Sequence, residues 1–370
     1  MKNIDRRQWL KAAGLSSGFT FLGGLQAMAL DFPSRPLDSN KMVRLNANEN
    51  PYGPSKRVRT VITQTFDDAC RYPFRALSGL VDMIAEKEGV PRDYVVVTGG
   101  STEGLKATGL AFGRENGEII AADPTFQAML SYAETFGSHI HRVPVTDTME
   151  HDLEAMAQRV TNKTGLIFIC NPNNPTGTLL NKDKLKDFCT SLDDKAIIFS
   201  DEAYYDFITE PDYPSMVELV KAGRNIIVSK TFSKVFGLAG LRIGYLIARP
   251  DIAERLKASV MANTNILAIE AAKEGLRDND FYKFSLVKNE EAKKSIYTTL
   301  DTIGLEYIKS HTNFVFFKSG RPIHTLIEAM KKENVLIGRP FPPMYDWARI
   351  STGTMEEMEL FGNALKKVMV

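Results

Sequence analysis

The sequence predicts an α/β fold in which helices wrap a mostly parallel sheet, followed by a smaller α+β domain. Short apolar runs alternate with helical stretches from about residue 51 to residue 265, and polar residues follow several of these runs directly. The carboxyl ends of strands in an open parallel sheet form the ligand crevice. The polar residues after the apolar runs therefore indicate a binding site at one edge of the sheet.

The first of these strand ends has the features of an anion site. Residues 95–97 are three valines that lead into a glycine-rich turn and then a helical stretch. Backbone amides at a helix N-terminus attract anions, and Ser101 and Thr102 add hydroxyl donors there. The pattern predicts a site for a phosphate group.

Two further strand ends carry an amide, a carboxylate and a phenol. The apolar residues 166–170 precede a turn of asparagine, proline and glycine that contains Asn174. The apolar residues 196–200 precede Asp201, with Tyr204 three positions later. Because strand ends of a parallel sheet converge, these side chains could contact one flat heteroaromatic ring.

The most informative segment follows the apolar residues 225–228. Burial lowers the pKa of a lysine from its usual value of about 10.4. More of the amine is then neutral, and a neutral amine can form a Schiff base with an aldehyde. Lys234 is the candidate for this amine. Three neighbours suit a phosphate through a guanidinium and two hydroxyls: Arg242, Ser233 and Thr231.

From Val43 to the C-terminus the chain resembles the fold-type I pyridoxal-phosphate enzymes, and among them the class I/II aminotransferases and their histidinol-phosphate aminotransferase group. The shared motifs stand in the family's order: LNANENPYGPS, RYP, TGGSTEG, DPTF, CNPNNPTG, SDEAYYDF, TFSKVFGLAGLRIGY and ARISTGT. The resemblance implies the fold-type I architecture and pyridoxal 5'-phosphate as the cofactor.

The resemblance also implies roles around the cofactor ring. Lys234 would hold the cofactor as an internal aldimine and, once displaced, move a proton to and from the substrate α carbon. Asp201 would pair with the pyridinium nitrogen and keep the ring an electron sink. Asn174 and Tyr204 would hydrogen-bond the phenolic oxygen, and Phe126 would stack on the ring, where many relatives have tyrosine.

For the cofactor phosphate, the resemblance implies a cup of hydroxyls closed by one arginine. Its members are Ser101, Thr102, Thr231, Ser233 and Arg242. In the family, the tyrosine of the RYP motif reaches the phosphate of the neighbouring subunit, so Tyr72 implies a homodimer with shared active sites. Taken alone, Tyr72 fits an ordinary half-buried tyrosine better than a cofactor contact.

Substrate binding is implied for three residues. Arg349 matches the arginine that binds the substrate α-carboxylate, and Asn48 lies in a segment that folds over the active site. Arg339 is a candidate second anion contact, although the residues after it depart from the histidinol-phosphate pattern. The expected reaction moves an amino group from an L-amino acid, or a histidinol-phosphate-like amine, to a 2-oxo acid by a ping-pong mechanism.

Two alternatives stay open on the same fold. A decarboxylase or lyase similar to the threonine-phosphate decarboxylases would use the same cofactor residues, because substrate groups decide which bond breaks. A non-catalytic binding protein is the other alternative, and the presence of the lysine, aspartate, asparagine, tyrosine and arginine together counts against it.

Composition excludes several other classes. The 370 residues carry a net charge of +1, so neither composition nor any basic stripe favours nucleic acid as a partner. The cysteines, Cys70, Cys170 and Cys189, are widely spaced, and we expect buried thiols rather than disulfides. The five histidines lack metal-ligand spacing, so no metal is expected.

The N-terminus resembles a twin-arginine export signal. Arg6 and Arg7 precede an uncharged, glycine-containing run that ends near the Ala-Met-Ala of residues 27–29. Aspartate before the arginines and tryptophan after them depart from the usual motif. We expect export to the periplasm and no stable membrane span after cleavage; the alternative is a disordered or packed N-terminal helix in a cytoplasmic enzyme.

These patterns divide the chain into consecutive parts. The expected parts are a signal peptide over 1–29, an N-terminal arm over 30–50, a large cofactor-binding domain over 51–265 and a small domain over 266–370. The helical stretch over 251–277 is the predicted bridge between the two domains.

Overall fold

A computed structural model describes residues 42–113 and 117–369. Its strands are, in chain order, β1 (Val43–Arg44), β2 (Val95–Thr98), β3 (Glu118–Asp123), β4 (His139–Pro144), β5 (Thr164–Cys170), β6 (Ile197–Asp201), β7 (Ile226–Thr231), β8 (Gly244–Ile247), β9 (Phe314–Lys318), β10 (Val335–Leu336) and β11 (Trp347–Ser351).

The α-helices cover both sides of these strands and dominate the C-terminal part. In chain order they are α1 (Lys56–Gln64), α2 (Phe74–Glu88), α3 (Ser101–Phe112), α4 (Ala128–Thr135), α5 (Leu153–Gln158), α6 (Lys182–Leu192), α7 (Val217–Lys221), α8 (Pro250–Ser259), α9 (Ile266–Arg277), α10 (Asn279–Thr302), α11 (Ile323–Lys332) and α12 (Met355–Met369). No helix among the described residues is long and apolar enough to cross a bilayer.

The main sheet has the strand order β2-β8-β7-β6-β5-β3-β4. All neighbouring pairs are parallel except those of β8, which runs antiparallel to both β2 and β7. The predicted α/β class with a mostly parallel sheet is confirmed. Since β2, β5, β6 and β7 run in one direction, their carboxyl ends lie at the same edge.

The central strands are apolar because both faces of the sheet are covered. In β5 the side chains from Leu166 to Ile169 have no exposed surface, and β7 is buried along its whole length. Polar residues enter in the carboxyl-terminal half of these strands, as in Asp201 of β6 and Ser229 to Thr231 of β7. The sequence change from apolar to polar therefore marks the edge of the sheet.

A second hydrophobic cluster forms the C-terminal part. It contains residues of α10, α11 and α12 and of the antiparallel pair β9–β11, together with Val43 and Leu45 from the N-terminal segment. Strand β1 pairs in parallel with β10, which places Val43 and Arg44 of the N-terminal arm on this second cluster, while Asn48 further along the arm contacts Tyr204. The boundary between the two domains stays a prediction.

The helix that links the two clusters is not the predicted one. Helix α9, in the predicted bridge, packs on α1 and α2 within the cluster of the main sheet. Helix α10 instead contacts that cluster through Tyr282 and Leu286, and then contributes Ala292 and Ile296 to the second cluster. Residues 260–265 interrupt the predicted bridge, whereas α10 continues for 24 residues.

The expectation of buried thiols is correct for two of the three cysteines. Burial raises the pKa of Cys170 and Cys189, so both thiols stay protonated and inert. Cys70 is exposed, and that part of the prediction is wrong. It lies in the segment between α1 and α2, where its Sγ approaches the carbonyl oxygen of Asp67 at 3.7 Å.

Candidate active site

A cavity of about 290 Å³ opens at the carboxyl edge of the main sheet. It is lined by most of the side chains that the sequence indicated for cofactor and substrate: Asn48, Ser101, Thr102, Phe126, Asn174, Asp201, Tyr204, Ser233, Lys234, Arg242, Arg339 and Arg349. These residues come from chain segments that are up to 301 positions apart, from Asn48 to Arg349. The fold therefore brings the predicted groups into one space.

Lys234 follows β7 and reaches the cavity as a free amine. Its Nζ donates a hydrogen bond to the carbonyl oxygen of Asn48 at 3.0 Å and lies 5.4 Å from the ring centroid of Tyr204. Burial, together with the nearby charge of Arg349, lowers the pKa of Lys234 to about 8. A substantial fraction of this amine is neutral, and hence nucleophilic, near physiological pH.

Lys230 lies four residues earlier and has the opposite electrostatics. Its Nζ contacts Glu88 Oε2 at 2.9 Å and Glu202 Oε2 at 3.6 Å. Burial opposes the charge of Lys230, but these carboxylates outweigh it and hold the pKa above its usual value. Lys230 is thus a buried structural cation, while Lys234 has no carboxylate in ion-pair contact among the described residues.

Asp201 ends β6 inside the same cavity. Its Oδ1 accepts a hydrogen bond from the backbone N–H of Ala203 at 3.2 Å, and only 2% of the residue is exposed. Burial raises the pKa of Asp201 to about 7, although that N–H and the charge of Lys234 oppose the shift. A buried carboxylate of this kind gains most from a cationic partner, such as a protonated ring nitrogen.

Tyr204 is held by two amides. Its hydroxyl accepts hydrogen bonds from Asn48 Nδ2 at 2.9 Å and from Asn174 Nδ2 at 3.4 Å. Asn174 Oδ1 in turn accepts from Arg349 Nη1 at 2.7 Å. This chain of contacts ties the predicted ring-binding residues to the predicted substrate arginine.

The N-terminus of α3 offers uncapped backbone amides to the cavity. The helix starts after Gly100, which has φ 84° and supplies no side-chain cap. A Cβ at Gly100 would stand 2.6 Å from Arg242 Nη2, so a side chain would push the arginine away. Arg242 Nη2 approaches Thr102 Oγ1 at 3.5 Å, and no carboxylate pairs with Arg242 among the described residues. The donor set fits a phosphate.

Thr231 and Tyr72 do not line this cavity. Thr231 is buried, and its hydroxyl donates to Ser233 Oγ at 3.0 Å. Thr231 therefore orients Ser233, which is one of the predicted phosphate-binding residues. Tyr72 is 81% exposed and stacks on Phe74 at 5.7 Å between ring centroids. The half-buried alternative for Tyr72 does not hold in this chain.

Arg349, on β11, is a buried cation without a described anionic partner. Its Nη2 donates to the carbonyl oxygen of Asn46 at 2.8 Å, while its buried Nε has no hydrogen-bond partner among the described residues. Burial lowers the pKa of Arg349 to about 10. The guanidinium therefore remains charged and lacks the anion that would compensate its burial.

Arg339 is the second substrate candidate, and it lies in the turn after β10. Its Nη1 donates to the carbonyl oxygen of Pro340 at 2.8 Å, and burial lowers its pKa. No carboxylate forms an ion pair with Arg339 in the part of the chain that the structure describes. It therefore remains free to meet an anion in the cavity.

Several contact residues were not anticipated from the sequence. Ser351 Oγ donates to Asn48 Oδ1 at 2.9 Å, and Asn313 Nδ2 donates to the carbonyl oxygen of Asn48 at 3.0 Å. Ser351 lies in the ARISTGT motif, and Asn313 directly precedes an apolar strand. The neighbouring sequence could therefore have marked both as candidate site residues. Asn46 acts through its backbone carbonyl, for which side-chain chemistry gives no signal.

Comparison with known proteins decides the family. The sequence model of the aminotransferase class I and II family matches residues 40–365. The chain belongs to this family. It is 34% identical to the histidinol-phosphate aminotransferase of Moorella thermoacetica over 90% of this chain and 87% of that protein. Histidinol-phosphate aminotransferase 2 of Methylococcus capsulatus is also 34% identical, over 89% of this chain and 91% of its own length.

Solved structures agree with this assignment. The Sinorhizobium meliloti histidinol-phosphate aminotransferase in complex with pyridoxal-5'-phosphate has a TM-score of 0.83 and 25% identity, covering 90% of this chain and 92% of that one. The Clostridium acetobutylicum histidinol-phosphate aminotransferase has a TM-score of 0.81 and 25% identity, covering 89% and 99%. The fold-type I architecture is confirmed.

The aminotransferase prediction and its cofactor are confirmed with the family. The protein is an aminotransferase that uses pyridoxal 5'-phosphate and acts on small amino and oxo acids. Lys234, Asp201 and the uncapped end of α3 provide an amine, a carboxylate and an anion cup in one cavity, and this set fits the three polar parts of that cofactor.

Proposed function

We propose that this aminotransferase takes an amino group from an L-amino acid, or from a histidinol-phosphate-like amine, and passes it to a 2-oxo acid in a ping-pong cycle. The observation that carries the proposal is one cavity with a low-pKa amine at Lys234, a buried carboxylate at Asp201 and an unpaired guanidinium at Arg349. These groups suit a proton carrier, a ring anchor and a carboxylate clamp.

The residue roles follow from their contacts. Bound pyridoxal phosphate supplies an electron sink that stabilises negative charge on the substrate α carbon. Asp201 would face the ring nitrogen. The phosphate would be held by Ser101, Thr102, Ser233 and Arg242. Arg349 would orient the substrate carboxylate, and Lys234 would take the proton from the substrate α carbon and deliver it to the cofactor carbon bonded to the transferred nitrogen.

The donor is best identified by a single-turnover titration of the holoenzyme with a panel of L-amino acids and histidinol phosphate. The bound cofactor's visible absorbance is followed, and a 2-oxo acid is then added. Loss of the absorbance on donor addition and its return with the oxo acid support the proposal and rank the donors. Release of carbon dioxide without amino transfer would instead support the decarboxylase alternative.

We also propose that the enzyme is a homodimer in which Tyr72 completes the neighbouring subunit's phosphate cup. Tyr72, Phe66 and Phe74 are 81%, 59% and 65% exposed, and large aromatic side chains exposed within one short segment favour a protein interface. In an isologous dimer, each subunit can lend such a residue to its partner.

Mixed dimers test this arrangement. We expect Lys234→Ala and Tyr72→Ala enzymes each to have little activity, because each homodimer has two defective sites. After co-refolding in equal amounts, about a quarter of wild-type activity should return, since half of the dimers then contain one intact site. Activity that stays at the level of the separate variants would exclude a shared site.

We further propose export through the twin-arginine route, on the strength of Arg6, Arg7 and the run that follows them. These residues lie outside the described part of the structure. We expect the full chain to reach the periplasm and the Arg6→Lys/Arg7→Lys double variant to stay in the cytoplasm. Immunoblots of cell fractions check this, and the same distribution for both chains would contradict export by this signal.

A further inference from the structure

Two guanidinium groups of the active site share one aromatic ring. The Cζ atom of Arg339 lies 4.6 Å from the ring centroid of Phe341, and the Cζ atom of Arg349 lies 4.8 Å from the same centroid. Phe341 is 4% exposed and Arg349 is buried, so the contact between these two forms away from bulk water, where cation–π contacts are strongest; Arg339 is exposed and covers the ring from the solvent side. The ring offsets part of the repulsion between two like charges that line one cavity.

The ring itself is held by the β9–β11 pair. Phe316 of β9 packs edge-to-face on Phe341 at 6.1 Å and stacks on Trp347 of β11 at 5.1 Å. Gly338 N donates to the carbonyl oxygen of Arg349 at 2.8 Å, and a Cβ at Gly338 would stand 2.7 Å from that oxygen. The turn that carries Phe341 is thereby anchored directly to the strand that carries Arg349.

The two arginines depend on this ring to different degrees. Arg349 has a second ring, Phe314, with 5.3 Å between its Cζ atom and that ring centroid, besides its hydrogen bonds to Asn174 and Asn46. Arg339 has Phe341 and a hydrogen bond to the adjacent Pro340. Loss of the Phe341 ring therefore loosens Arg339 more than Arg349.

We propose that Phe341 is a positioning residue that fixes the guanidinium groups of Arg339 and Arg349 at a set spacing, so that both meet one substrate. The inference rests on the proposed carboxylate role of Arg349. It implies that, when a ligand carries two anionic groups, Phe341 contributes more to binding the group at Arg339 than the group at Arg349.

Carboxylate ligands of equal chain length test the proposal without knowledge of the natural donor. Glutarate and pentanoate both have five carbons, but only glutarate has a second carboxylate. Their dissociation constants from the holoenzyme are measured by calorimetry. We expect Phe341→Leu to weaken glutarate about tenfold and pentanoate about threefold or less, and Phe341→Tyr to restore both.

Phe317→Leu is the matched control. Phe317 is the next residue of β9 after Phe316, is fully buried and belongs to the second hydrophobic cluster; no guanidinium lies over its ring among the described residues. The control loses the same side-chain volume in the same domain. Glutarate should bind this variant within about twofold of the wild type, as expected for a ring without a cation–π contact.

Two outcomes would overturn different parts of the argument. If Arg349→Ala leaves pentanoate binding unchanged, the carboxylate role of Arg349 is wrong and the inference fails with it. If Arg349→Ala weakens both ligands but Phe341→Leu behaves like Phe317→Leu, the role of Arg349 stands and the positioning role of Phe341 is excluded.

Discussion

Replacing Lys234 by alanine should lower turnover by about 10⁴-fold or more, because the variant loses both its nucleophile and its proton carrier. Lys234 is the low-pKa amine of the cavity, and its Nζ lies 3.0 Å from the Asn48 carbonyl oxygen, where no carboxylate of the described residues forms an ion pair with it. No other described lysine lines the cavity, so a replacement amine is not at hand. The expected result is a protein that folds and binds ligands but barely transfers amino groups.

Steady-state rates with the donor found by titration check the loss of turnover. The phosphate cup and Asp201 are unchanged in Lys234→Ala, so the variant should still bind pyridoxal phosphate but release it on dialysis, which the wild type should resist. Turnover within about tenfold of the wild type would show that another group moves the proton.

The reactivity of Lys234 towards an amine reagent gives a readout that does not depend on turnover. The neutral amine is the reactive form, and a pKa of about 8 makes its fraction rise through pH 8 and level off above that value. Ordinary lysines continue to gain reactivity up to about pH 10.4. Mass-spectrometric labelling of the cofactor-free chain should therefore show half-maximal modification of Lys234 near pH 8. A midpoint above 10 would contradict the role of burial.

The strands around the cofactor could be predicted because their signal is local. Each of β5, β6 and β7 has a mostly buried apolar run, and polar residues follow at or just after its carboxyl end, so the sequence marks both the strand and the edge where its ligand groups lie. The position of the strand end also distinguishes Lys230 from Lys234. The first lies within β7 and pairs with buried glutamates, whereas the second lies beyond the strand end.

The rest of the site depends on contacts between distant segments. The backbone N–H of Asn48 bonds Ser351 across 303 positions, and β1 pairs with β10, yet neither segment has a pattern that names its partner. The cation–π contacts of Phe341 and the bridging role of α10 likewise arise only when the β9–β11 pair and the second cluster are assembled. The residue types of a single loop do not predict these contacts, because each contact also depends on a distant segment.

Asp201→Asn should lower kcat by about 10² to 10⁴-fold, while the Michaelis constant for carboxylate substrates changes little. The amide keeps the size of the carboxylate and can still accept from the Ala203 N–H, as Asp201 Oδ1 does at 3.2 Å. It cannot carry the negative charge that stabilises a protonated ring nitrogen. Arg349, which would bind the substrate carboxylate, is untouched, so the loss should fall on the chemical step.

The pH dependence of cofactor binding separates this electrostatic role from a structural one. Because burial raises the pKa of Asp201 to about 7 in the free protein, the carboxylate ionises as pH rises through 7, and only the ionised form can pair with a cationic ring nitrogen. Cofactor affinity of the wild type should therefore increase between about pH 6 and pH 8 relative to Asp201→Asn, which has no carboxylate to ionise there. Affinities measured by fluorescence titration of the two cofactor-free chains check this. Parallel pH profiles would mean that Asp201 does not pair with the ring, even if its replacement slows turnover.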